Sequence, residues 1–125
     1  MPMTPIEISE KIRDHLINQN AKALNEYGGC RYRGNNGSMC AVGCLITDEV
    51  YTPDLECATV SADRIIDALN KSGIELKHNT PLMFMLRNWQ QYHDADYGYW
   101  LHDPEKHPSP EQKHKTIMGY FETYV

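Results

Sequence analysis

At 125 residues and 14.4 kDa, with 41% hydrophobic and 10% aromatic content, the chain reads as one folded domain over 1–125 whose core needs neither disulfides nor metal. Lys plus Arg number 12 against 17 Asp plus Glu, a formal net charge of -5, which argues against general nucleic-acid binding and leaves other partners open. No apolar run suits a membrane span and Met1-Pro-Met-Thr-Pro5 has no signal-peptide pattern, so the four cysteines are expected to be reduced in a cytoplasmic setting.

The first predicted element is a helix opened by Thr4-Pro5-Ile6-Glu7, a capping box with proline at its first position. Ile8, Ile12 and Leu16 form one stripe, with Ile17, Ala21 and Leu24 beside it. This predicts a helix to about Glu26, stopped by Gly28-Gly29. A cysteine-rich segment follows. Arg31-Tyr-Arg33 and Ser38 to Val42 can pair as short strands around Asn35-Asn36-Gly37, because Asn-Gly readily takes the positive φ of a tight turn. Ala41, Gly43 and Cys44 are small and permit close approach of another backbone, and Thr47 to Tyr51 suits one helical turn before Thr52-Pro53.

Ser61 opens a second helix through about Ser72, with Ile65, Ile66 and Leu69 inward and Gly73 as its stop. Thr80-Pro81 opens a third, carrying Leu82, Met85, Leu86, Trp89 and Tyr92 or His93 at spacings of three and four. From Asp94 to Pro108 the pattern predicts a long polar-aromatic loop with Tyr97, Tyr99, Trp100, His102 and His107. Ser109-Pro-Glu-Gln112 repeats the capping box and begins a last helix with Ile117, Met118, Phe121 and Tyr124. The expected fold is mainly α (α+β): four helices with a small β-hairpin inserted after the first.

Several chemistries fit these residues. Cys30, Cys40 and Cys44 could supply three thiolates to zinc, with His93 or Cys57 completing a tetrahedron. Their spacing lacks the paired Cys-x2-Cys of zinc ribbons, and free cysteine is among the most buried residue types, so packing without metal is the favoured reading. Cys40 or Cys44 with His93 as base would make a nucleophile. Asp94 is its adjacent neighbour, about 100° away around a helix, and is not expected to brace the ring. Arg31 and Arg33 on one strand face, next to the Gly34–Gly37 turn, could bind an anion such as a phosphorylated ligand, although paired arginines more often meet nearby carboxylates. Tyr97, Tyr99 and Trp100 in a loop suit a binding hot spot, or else a loop folded back with Trp100 as a core plug.

The segment from Cys30 to Asp48 resembles uncharacterised small proteins of bacteriophages and prophages, whose pattern reads Cys-x-Tyr-Arg-Gly, a Gly-containing spacer, Cys-Ala-x-Gly-Cys-Leu-Ile-x-Asp and a nearby Tyr. Here it is carried by Cys30, Tyr32, Arg33, Gly34, Gly37, Cys40, Ala41, Gly43, Cys44, Leu45, Ile46, Asp48 and Tyr51, with His93-Asp94 closing a later aromatic helix. The tail after Asp94 departs from the pattern. The resemblance carries no activity to transfer. It implies a phage or prophage accessory protein in the host cytoplasm that interferes with host machinery or defence by binding.

The expected function is therefore non-enzymatic binding of a host protein or a small anionic ligand through Arg31, Arg33, Asn35, His93, Tyr97, Tyr99 and Trp100, with no cofactor. The alternative is a small cysteine- or zinc-dependent enzyme using Cys40 or Cys44 with His93, any zinc being held by Cys30, Cys40, Cys44 and His93.

Overall fold

The computed structural model describes residues 3–21, 31–34, 37–56 and 58–124, and among these it forms five helices. They are α1 (Pro5–Gln19), α2 (Asp63–Lys71), α3 (Pro81–Asp94), α4 (Asp96–His102) and α5 (Pro110–Tyr124), with 3-10 turns at Gly43–Leu45 and Pro53–Leu55. Three helices begin on local chemistry. The Thr4 hydroxyl accepts the Glu7 amide at 3.3 Å while the Thr4 amide donates to Glu7 Oε1 at 2.9 Å. Ser109 and Gln112 make the same reciprocal pair at 2.7 and 3.2 Å, and Thr80 accepts the Met83 amide at 3.3 Å.

Helix α1 stops well short of the expected Glu26. Asn20 takes a left-handed conformation at φ 54° and ends it. A tertiary contact reinforces the stop: the Tyr97 hydroxyl donates to the Leu16 carbonyl at 2.6 Å and accepts the Ala21 amide at 3.2 Å. Residues 22–30, with the expected Gly28-Gly29 stop, lie outside the described residues.

The expected β-hairpin is not formed, and no strand occurs among the described residues; Arg33 and Met39 make one isolated antiparallel bridge. Gly37 does turn with φ 81°, and the Gly34 and Cys40 amides reach Ser38 O and Tyr32 O at 2.8 and 3.3 Å. Pairing ends there because its next groups are taken. The Cys40 carbonyl accepts the Cys44 amide at 3.1 Å as the chain turns helical, and the Tyr32 amide goes to Glu56 at 2.9 Å. On the opposite edge, Gln19 accepts the Met39 amide at 2.7 Å and donates to its carbonyl at 2.8 Å. Side chains thus occupy the positions that neighbouring strands would fill.

The expected loop from Asp94 to Pro108 is also corrected, since Asp96–His102 is helix α4. Its Tyr97 is fully buried, and Trp100 stacks on Tyr97 at 5.9 Å between centroids. Helix α1 lies against α3, α5 and the first 3-10 turn, and α3 lies against α4 and α5. Ile8, Ile12 and Leu16 from α1 meet a core with Leu45, Ile46, Ile65, Leu69, Leu86, Trp89 and Tyr92. No helix among the described residues is long and apolar enough to cross a membrane.

Candidate functional site

The cysteine segment closes around one carboxylate, that of Glu56. Its Oε1 accepts the Tyr32 amide at 2.9 Å, and its Oε2 accepts the Arg33 amide at 3.1 Å and the Tyr51 hydroxyl at 2.6 Å. Arg31 Nη2 stands 3.6 Å from the same oxygen. Arg33 is committed to the fold: it donates to Asp48 Oδ1 at 2.7 Å and to the Ile46 carbonyl at 2.6 Å, and lies 4.8 Å over the Tyr51 ring. Arg33, Asp48 and Tyr51, far apart in sequence, are thereby parts of one built structure. The two arginines do not act as a free pair on one face.

Arg31 has a looser contact and lines a cleft of ≈ 600 Å³. Its far wall is a polar stripe of α3, Arg87, Gln90, Gln91 and Asp94, at the spacing of three and four that keeps residues on one helix face. Thr59 and Ser61, whose hydroxyls are 3.1 Å apart, also line the cleft. Gln90 is held by the Val42 amide at 3.2 Å and by its own donation to Asp94 Oδ1 at 3.0 Å. Arg87 is exposed and has no ion-pair partner among the described residues. Glu56 is bonded by two backbone amides and the Tyr51 hydroxyl, and Asp94 by the Gln90 amide, so the cleft combines an exposed guanidinium, a half-buried one and two hydrogen-bonded carboxylates. The stripe escaped sequence reasoning because the core residues of α3 dominate its pattern. The polar positions opposite them were the available signal.

The remaining expected site residues are placed elsewhere. Asn35 lies outside the described residues, as do Cys30 and Cys57. Tyr97 is a core residue rather than a surface one. Tyr99 is exposed and stacks on His107 at 5.3 Å, and Trp100 is half-buried; none of these three rings lines the arginine cleft. His93 is fully buried and stacked on Tyr97 at 5.7 Å. Contrary to the geometric expectation for adjacent helix residues, Asp94 Oδ1 lies 2.9 Å from His93 Nδ1, at the last two residues of α3.

The thiols are arranged for packing. Cys40 is fully buried and its sulfur accepts the Gly43 amide at 3.2 Å; the Cys44 thiol donates to the Ala41 carbonyl at 3.1 Å. Burial pushes the Cys44 thiol up to about 12 and raises that of Cys40 as well, the reverse of what a thiolate nucleophile or ligand requires. Among the described residues no group of three His, Cys, Asp or Glu is placed to hold a metal ion. Position 43 has no room for a side chain: a Cβ there would meet the Tyr32 carbonyl oxygen at 2.1 Å. Comparisons with protein-family models, with curated proteins and with solved structures give no match.

Proposed function

We propose that this chain is a non-enzymatic phage or prophage accessory protein that binds a small anionic ligand in the cleft between Arg31 and Arg87 and interferes with the host, defence included, by withholding that ligand. The observation that carries the ligand is the cleft: two arginines from separate elements, hydroxyl and amide side chains in the same lining, and a volume of ≈ 600 Å³ within the range of small-molecule sites. The motif from Cys30 to Asp48 and Tyr51 supports the phage setting. Of the two partner classes expected from sequence, the concave site favours the small molecule over a host protein. Burial raises the Cys40 and Cys44 thiols, which weighs against either of them as a thiolate nucleophile.

Arginine suits this role because its planar fork pairs with two oxygens of a phosphate or carboxylate at once. Isothermal titration with inorganic phosphate and with adenosine 5′-monophosphate tests the reading. Saturable binding of either probe by the wild type, weakened about tenfold or more in Arg87→Ala with the melting temperature unchanged, is the expected result. No binding of either probe, or binding unaltered in both Arg87→Ala and Arg31→Ala, rejects it.

A further inference from the structure

Away from the cleft, α1, α3 and α5 meet at a hydrogen-bond chain whose proton positions follow from the chemistry of its members. Ser9, fully buried on α1, accepts the Trp89 indole N–H from α3 at 3.0 Å. The same Ser9 oxygen lies 2.7 Å from Nδ1 of His114 on α5. An indole nitrogen only donates. Among the described residues Ser9 makes no other side-chain hydrogen bond, so its hydroxyl proton has one acceptor, His114 Nδ1. That nitrogen must be bare, with the ring neutral and its proton on Nε2.

We propose that this chain is a proton-operated clamp on α5: protonating His114 turns its acceptor nitrogen into a donor, strands the buried Ser9 hydroxyl proton between two donors, and loosens α5 from α1 and α3. A buried hydroxyl left without an acceptor carries the full desolvation penalty of that group, so the cost falls on the junction itself. The charged groups facing His114 come from α1. Arg13 opposes its protonation, while Glu10 and Asp14 favour it, and these carboxylates are themselves paired with Arg13 at 3.7 and 2.8 Å. From α3 the clamp receives the neutral indole of Trp89. Burial, the largest influence, holds the His114 ring below its ordinary value of 6.5.

The direction of the effect follows. An unfolded or detached His114 takes its proton first, so the clamp is fully engaged above pH 6.5 and is lost as pH falls through the lower value of the docked ring. Helix α5 is also one wall of an apolar groove of ≈ 350 Å³, where Ile117, Tyr120 and Phe121 face Phe84 and Met85 of α3. Loosening α5 therefore opens apolar surface at a defined place.

Two measurements on the intact chain test the clamp. NMR titration of the His114 ring is expected to give a midpoint below 6.5 in the wild type, moving up toward 6.5 in Ser9→Ala, which has no hydroxyl proton to strand. Hydrogen exchange, corrected for intrinsic rates, is expected to show α5 losing protection between neutral pH and about pH 5 while α2 keeps it. A wild-type His114 that titrates at or above 6.5 overturns the proposal, as does a midpoint unmoved by Ser9→Ala or α5 protection that falls in step with α2. Should Ser9→Ala fail to fold because the Trp89 N–H is orphaned, the wild-type midpoint and the helix comparison decide the matter by themselves.

Discussion

A methyl group on Gly43 would lie 2.1 Å from the Tyr32 carbonyl oxygen and 2.8 Å from its carbon. Both belong to backbone, which cannot swing aside as the end of a long side chain can. The Tyr32 segment is itself held by Glu56, and its carbonyl accepts the Cys40 amide, so relief by a small shift would break several hydrogen bonds at once. Gly43→Ala is expected to lower stability by about 3 kcal/mol, at the upper end of overpacking costs, measured by denaturant unfolding. Gly37 sits in the opposite situation: a Cβ there would have no atom within 4 Å, and the position demands only φ 81°. Gly37→Ala is strained by conformation alone and is expected to cost about 1 kcal/mol. Equal losses at the two glycines would show that the Gly43 contact is not the close approach described.

At the scale of elements, α4 exists because one of its rings is an anchor. Tyr97 fills the core between His93, Tyr92 and Trp100, and its hydroxyl joins the end of α1 from both sides. Seven residues form a marginal helix in isolation, so packing rather than propensity must hold it. Tyr97→Phe keeps the ring and removes the link to Leu16 and Ala21. The expected cost is about 1 to 2 kcal/mol, while Tyr99→Phe, whose ring is exposed, is expected to stay within about 0.5 kcal/mol of wild type in the same thermal unfolding assay. A sequence window cannot reveal this difference. Tyr97 and Tyr99 have the same side chain two residues apart in a polar-aromatic stretch, and only the position of α1 decides which is a core residue.

For the whole molecule, acid is the sensitive direction. His15 on α1 donates Nε2–H to the Met39 carbonyl at 2.7 Å, tying α1 to the turn that carries the cysteines. Burial is the main reason its pKa lies below the ordinary 6.5, helped by His93 and Lys11 and opposed by the bond to Met39. The unfolded chain therefore binds protons at this residue before the folded one does. Stability present above pH 6.5 is lost as pH falls toward the folded value. Unfolding free energy is expected to decline between neutral pH and about pH 5, with a shallower decline in His15→Gln, which keeps a donor for Met39 without a titrating ring. An undiminished slope in that variant would remove His15 from the account.

Local chemistry was enough to set the starts of α1, α3 and α5 and most of their buried stripes, because a capping hydroxyl, a first-turn proline and a side chain three residues on act within one helical turn. Gly37 likewise has the positive φ that its Asn-Gly context demanded, although the strands expected on either side of it are not formed. Long-range packing settled where α1 ends, that Asp96–His102 is helical, and that the anticipated strands stop at one bridge. Each of those outcomes depends on a partner remote in the chain: Tyr97 is 81 residues from Leu16, and Glu56 is 24 and 23 residues from the Tyr32 and Arg33 amides it captures. The cleft follows the same rule. The arginines expected to bind were legible as residue types, but Asp48 and Tyr51 draw Arg33 into the scaffold, and Arg31 shares the cleft with an exposed arginine of α3, Arg87, only because folding brings the two elements together.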